Sequence, residues 1–171
     1  MTFFAGDRLA AADLNAAFAA LPQGIIARHT RNTTSLSGVG ATETPFIRMD
    51  NIPIRNGYSY EIIAPRLVLT TTATTTIGAV RLRGSTSGNA TIASAGIDGA
   101  EVRPATPVDT SNVPEQQIIG VYHSATTGSL SVLLSIIRVA GAGTVGLFST
   151  VNIPMYVKEI GITPVDAGTD L

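Results

Sequence analysis

The chain has 171 residues, 44% of them hydrophobic and 13% charged, with a net charge of −1. This length builds one good hydrophobic core. The near-zero charge gives no global support to nucleic-acid binding by phosphate neutralisation, and the absence of cysteine excludes disulfides and thiolate chemistry. So little charge also means that Thr, Ser and Asn must cover the surface, or that an oligomer buries part of it.

The start, Met1-Thr2-Phe3-Phe4-Ala5-Gly6-Asp7-Arg8, does not read as a signal peptide, because no basic region leads into a long apolar run. Residues Leu9 to Leu21 are rich in Ala and Leu, and Leu14, Ala17, Phe18 and Leu21 follow the spacing of one helical face. Asp7 or Asp13 offers an N-terminal cap, and Pro22 and Gly24 stop the helix. A helix this short is marginal alone and must pack on something. Residues 1–24 are therefore expected to form a separate segment with one short α-helix.

After Gly24 the helical period disappears. Tyr58, Tyr60 and Ile62 alternate with Ser59 and Glu61, and Val80 and Leu82 alternate with Arg81 and Arg83. Ile118 to His123, Ser129 to Val139, Thr144 to Ser149 and Pro154 to Ile160 are further strands, dominated by Thr, Val and Ile. Turn signals separate them at Asn56-Gly57, Ser87-Gly88, Thr127-Gly128 and Gly141-Ala142-Gly143. Asn56-Gly57 suits a type I′ hairpin turn. The spacing predicts eight or nine strands over 25–162, in an all-β, jelly-roll-like antiparallel sandwich. Ala95 to Pro114, with two glycines and three prolines, is expected to be a long loop. Residues 163–171 are expected to form an exposed tail. The longest apolar run, around Val132 to Ile137, is too short to span a bilayer, so no membrane partner is expected.

No catalytic or cofactor signature stands up. Gly141-Ala142-Gly143-Thr144-Val145-Gly146 matches G-x-G-x-x-G, but strand-like residues follow it where a dinucleotide site needs a helix. A hairpin turn explains the glycines better. His29 and His123 are the only histidines, too few for a His-based metal site. Gly84-Ser85-Thr86-Ser87-Gly88 has Thr where a nucleophile elbow has Ser. The acidic residues are scattered, whereas acid–base catalysis needs a converging pair. Neither an enzyme, a cofactor nor a metal is expected. Arg81 and Arg83 share one strand face; they read first as a solvated face and second as a subunit contact, where Arg pairs with carboxylates.

Phe3-Phe4-Ala5-Gly6-Asp7-Arg8-Leu9-Ala10-Ala11-Ala12-Asp13-Leu14-Asn15 resembles an N-terminal segment common in structural proteins of tailed bacteriophages. The stretches 56–62, 80–83, 135–145 and 154–161 are similar to parts of small phage virion proteins with a jelly-roll domain. The resemblance implies a virion surface protein made in the host cytoplasm, a homotrimer of jelly rolls held to the major capsid protein or another virion protein by its N-terminal segment. The expected anchoring residues are Phe3, Phe4, Leu9, Leu14, Asn15 and Phe18. The leading expectation is a capsid decoration or head-fibre protein. The alternative is a minor tail or baseplate protein binding a host-surface glycan or receptor, for which Tyr58, Tyr60, Tyr122 and Tyr156 are the candidates. A hydrolase acting on cell-surface polymer is the third reading.

Overall fold

The computed structural model describes residue 18 and residues 21–31, 35–103, 115–148 and 153–164. These form ten strands: β1 (Gly24–Arg31), β2 (Leu36–Val39), β3 (Thr44–Ile54), β4 (Tyr58–Thr71), β5 (Ile77–Ser85), β6 (Ala95–Val102), β7 (Gln116–His123), β8 (Gly128–Ala140), β9 (Val145–Phe148) and β10 (Ile153–Ile162). All pairings are antiparallel.

The pairing has a simple rule. β1 pairs with β10, β2 with β9, β3 with β8, β4 with β7 and β5 with β6. The chain is thus one long two-stranded ribbon, doubled back at residues 86–94, and the ribbon is then rolled up. Rolling adds the pairs β10–β4 and β5–β8. One sheet then runs β1-β10-β4-β7 and the other β6-β5-β8-β3. Without the short β2–β9 pair, this is the strand order of a jelly roll, as the sequence leads one to expect. A single bridge, Asp98 to Val121, joins the sheets at β6–β7, and β1 lies against β3 on the other side. The sandwich is nearly closed, which leaves little exposed strand edge.

Alternation along each strand fills the space between the sheets. Tyr60, Ile62, Ala64, Leu67 and Leu69 of β4 point in, and so do Leu130, Val132, Leu134 and Ile136 of β8 and Met155 and Val157 of β10. Each such large apolar side chain contributes roughly 1.5–3 kcal/mol when fully buried. β4 bends at Pro65-Arg66, where the register with β7 slips and Arg66 adopts a left-handed φ of 62°. Beyond the bend, Val68 to Thr71 pair with β9 instead. A bulge that redirects a long strand is a common device for serving two neighbours.

Several expectations need correction. Ala95 to Val102 is strand β6, not loop; residues 104–114 lie outside the described residues. Gly96, Gly99 and the alanines hide the alternation, and the strand is made by its partners. It pairs with β5 at Gly96 and Glu101, and it bows away between them to reach β7 through Asp98. Asn56-Gly57 is not a type I′ hairpin turn. Only Gly57 has positive φ (77°), and the turn carries the chain from β3 in one sheet to β4 in the other. Gly141-Ala142-Gly143 likewise joins β8 to β9, which are not paired with each other. The expected N-terminal helix lies outside the described residues except for Phe18 and Leu21, and so do tail residues 165–171.

Candidate functional site

Both ends of the ribbon meet at one end of the sandwich, and that end is tightly knitted. Gly57 N donates to Ser124 O (2.8 Å), and Thr163 N donates to Gly57 O (2.8 Å). Asn56 N donates to Thr127 Oγ1 (3.1 Å). At its centre is Glu159 of β10, an inward-facing position whose side chain is 2% exposed. Its carboxylate accepts from Arg55 Nε (3.0 Å), from Arg55 Nη2, from Tyr60 OH (3.2 Å) and from the Gln23 amide (3.0 Å). Arg55 Nη2 also donates to the Leu21 carbonyl (3.1 Å). Burial alone would raise the Glu159 pKa, but the bonds from Arg55, Gln23 and Tyr60 outweigh it and hold the carboxyl below its ordinary value. The residues just before β1 are therefore fastened to a buried ion pair. Nothing in the sequence marks Glu159, because its alternation places a charge where an apolar residue is expected.

Of the expected anchoring residues, Phe3, Phe4, Leu9, Leu14 and Asn15 lie outside the described residues. Phe18 is 62% exposed, and its carbonyl accepts from the Leu21 amide (3.1 Å).

Arg81 and Arg83 lie on the outer face of the β6-β5-β8-β3 sheet, where they belong to an internal network. Arg83 binds Glu43 through Nε (2.8 Å) and Nη2 (2.7 Å), and its Nη1 donates to Ser94 O (3.0 Å). Arg81 binds Glu43 (3.1 Å) and Glu101 (2.5 Å), and Arg103 also binds Glu101 (2.5 Å). Ser135 Oγ completes the shell of Glu43 at 2.5 Å. Fork-shaped guanidinium contacts of this kind are the stronger ion pairs. The Arg83 bonds, aided by Ser135 and Arg81 and opposed by burial, bring Glu43 from 4.5 to about 2. Further along the same face, Arg48 and Arg83 flank the outward-pointing Leu133, which is only 3% exposed.

The G-x-G-x-x-G loop has a packing explanation. A Cβ on Gly141 would strike the Thr75 carbonyl, one on Gly143 would reach Thr76 Oγ1 at 2.5 Å, and one on Gly146 would reach the Leu36 carbonyl at 2.7 Å. The Thr-rich 72–76 turn then clasps the loop: Thr76 Oγ1 accepts from Gly143 N (2.9 Å) and Thr72 Oγ1 from Thr144 N (2.8 Å). Ser59 Oγ and His123 Nδ1 are 2.8 Å apart, yet Ser59 is 1% exposed and also donates to Thr163 Oγ1. Among the described residues no carboxylate is ion-paired with the His123 ring. No group of His, Asp or Glu among the described residues could hold a metal.

Of the four tyrosines, Tyr60 is fully buried and Tyr58 lies under the Arg55 guanidinium, 3.8 Å from ring centroid to Cζ. Tyr156 is half-buried on the outer face of the β1-β10-β4-β7 sheet. Tyr122 borders a neutral depression of ≈ 390 Å³ lined by Gly84, Ser85, Thr86, Ser87, Ser94 and Ala95. No protein-family model and no curated protein matches the chain.

Proposed function

We propose that this chain is a bacteriophage virion structural protein, a surface ornament of the capsid-decoration or head-fibre kind, attached through its N-terminal segment. The observation that carries the reading is the fastening at Glu159. The segment that resembles a phage anchoring motif enters the jelly roll through Leu21 and Gln23, and the Arg55–Glu159 pair grips both. A knob that must stay on a particle needs its tether joined firmly to its core. The jelly roll itself suits a virion role, since such double-sheet domains build many viral shells, although fold analogy alone does not define function. The partners on this reading are the major capsid protein or another virion protein, and further copies of the chain in a homotrimer.

The test is removal of residues 1–20, which spares Leu21 and hence the Arg55 contact. The shortened protein should keep its β-sheet circular dichroism and lose binding to particles stripped of the ornament. Binding that survives the deletion would overturn the reading. Cryo-electron microscopy of the particle then locates the chain.

A second reading, a minor tail or baseplate protein that binds a host-surface glycan, draws on the Tyr122 depression. Its neutral hydroxyls and aromatic wall suit a sugar ring. A glycan-array signal that Tyr122→Ala removes would favour it.

A further inference from the structure

Asn56-Gly57 is the only Asn-Gly pair in the chain. Both residues are exposed, at the corner that carries β3 into β4. An asparagine followed by glycine is chemically labile, because the next backbone nitrogen can attack the side-chain amide and glycine has no Cβ to hinder the ring that forms. Asn51 and Asn89 are also exposed, but Ile52 and Ala90 follow them.

The corner keeps the reacting groups apart in two ways. The Gly57 N–H, which must lose its proton to attack, donates to the Ser124 carbonyl at 2.8 Å. The Tyr58 amide donates to the Arg55 carbonyl at 3.3 Å, closing a four-residue turn in which only Gly57 has positive φ. Among the standard turns that pattern is type II, with the ψ of its second residue, Asn56, near roughly +120°. Ring closure needs Asn56 Cβ and Gly57 N nearly eclipsed about the Cα–C bond, and a type II turn holds them well away from that geometry. The neighbouring peptide groups are pinned as well. Asn56 N donates to Thr127 Oγ1 (3.1 Å), and Gly57 O accepts from Thr163 N (2.8 Å). The residue before the pair, Arg55, is the one that grips Glu159.

We propose that Asn56 is a site of spontaneous deamidation that the clasped corner keeps closed, so that modification follows the opening of the corner and then loosens the clasp. In the open corner Gly57 N, having given its proton to water, attacks Asn56 Cγ. The N–Cγ bond forms, the Cγ–Nδ2 bond breaks, and ammonia leaves with a proton from solvent. Water then opens the succinimide. Breaking the N–Cγ bond gives aspartate at position 56, and breaking the bond from that nitrogen to the main-chain carbonyl carbon gives isoaspartate. No oxidant or reductant takes part. Isoaspartate carries the main chain through Cβ and Cγ and lengthens the turn, which pulls Gly57 out of register with Ser124 and Thr163. Either product adds a carboxylate next to Arg55 that competes with Glu159 for the guanidinium. The hold on Leu21 and Gln23 weakens accordingly. The chemistry is independent of what the N-terminal segment binds.

The experiment incubates the full-length protein at mildly alkaline pH, with and without urea, and follows the tryptic peptide 56–66 by mass spectrometry. Loss of the Asn56 amide should be at least about tenfold slower in the folded chain than in urea, since only open molecules react. Thr127→Ala and Arg55→Met should each speed the loss in the folded state and leave the rate in urea unchanged. Glu43→Gln, which weakens the network on the outer face of the β6-β5-β8-β3 sheet, should not speed it. Circular dichroism checks that each variant is folded. The separated isoaspartate form should exchange its Gln23 amide faster than the unmodified chain. Equal rates with and without urea, or a folded-state rate that neither corner variant changes, overturn the proposal. So does equal acceleration by Glu43→Gln and Arg55→Met, because whole-molecule unfolding is then the route. Gln23 protection that survives isoaspartate formation overturns the loosening of the clasp.

Discussion

Arg55 grips the buried carboxylate of Glu159 with two of its nitrogens while its guanidinium lies 3.8 Å above the Tyr58 ring. The pair joins the β3–β4 corner to β10, and through the Leu21 carbonyl and the Gln23 amide it joins both to the chain entering β1. Removing one partner of such a pair leaves a buried charge without compensation, which typically costs about 3–5 kcal/mol. Arg55→Met should therefore lower the urea midpoint strongly. Glu159→Gln keeps the volume and part of the hydrogen bonding and should cost less. In both variants, hydrogen exchange at the Gln23 amide should rise more than at Leu134 in the core of β8. Equal protection at Gln23 in wild type and both variants would show that the clasp does not hold the segment.

Glu43 gives the clearest pH dependence. Its folded pKa lies near 2, whereas an ordinary glutamate has 4.5. A depressed carboxylate pKa stabilises the fold fully above the unfolded value, and the contribution fades as pH falls through the folded value. The difference corresponds to roughly 3 kcal/mol at neutral pH. Stability should therefore decline between about pH 4.5 and 2, and Glu43→Gln should remove much of that slope. An unaltered acid profile in the variant would assign the slope to other carboxylates. Glu159, also depressed, would be the next to replace.

Gly128 opens β8 and Gly141 follows its last residue, and the two should respond unequally to alanine. Gly141 has a φ of +85°, and a Cβ there would collide with the Thr75 backbone, so Gly141→Ala should cost about 2 kcal/mol or more. A Cβ on Gly128 meets nothing within 4 Å, and Gly128→Ala should stay within roughly 0.5 kcal/mol of wild type. Thermal denaturation of the two variants compares them directly.

Arg66 holds a left-handed conformation at the β4 bend. For a non-glycine residue that conformation costs roughly 1–2 kcal/mol, while glycine loses some chain entropy in exchange. Its exposed ion pair with Glu115, at 3.3 Å, is worth at most about 1 kcal/mol. Arg66→Gly should therefore be at least as stable as wild type, and Arg66→Val clearly less stable. A destabilised glycine variant would mean that the Glu115 contact matters more than the backbone.

The all-β class was legible in the sequence because alternation is a local property. Tyr58, Tyr60 and Ile62, or Val80 and Leu82 against Arg81 and Arg83, declare two faces within a few residues, and four of the strands expected from such runs lie within about two residues of β7, β8, β9 and β10. The glycine signals correctly marked places where the chain turns, since a positive φ or a close backbone approach is also a local demand. Where each turn leads was decided only by the tertiary structure. Asn56-Gly57 and Gly141-Ala142-Gly143 carry the chain between strands that do not pair with each other, because the ribbon pairs residues as far apart as Gly24 and Glu159 and then rolls. β6 was illegible for the same reason: its glycines are held in a strand by β5 and β7. The roles of the charges were equally nonlocal. Glu43, Arg81 and Arg83 come together only after β3 and β5 both lie beside β8, and Glu159 becomes a buried clasp only when Arg55 arrives from 104 positions away. Periodicity records which side of a strand a residue faces, whereas partners are chosen by the folding of distant segments onto one another.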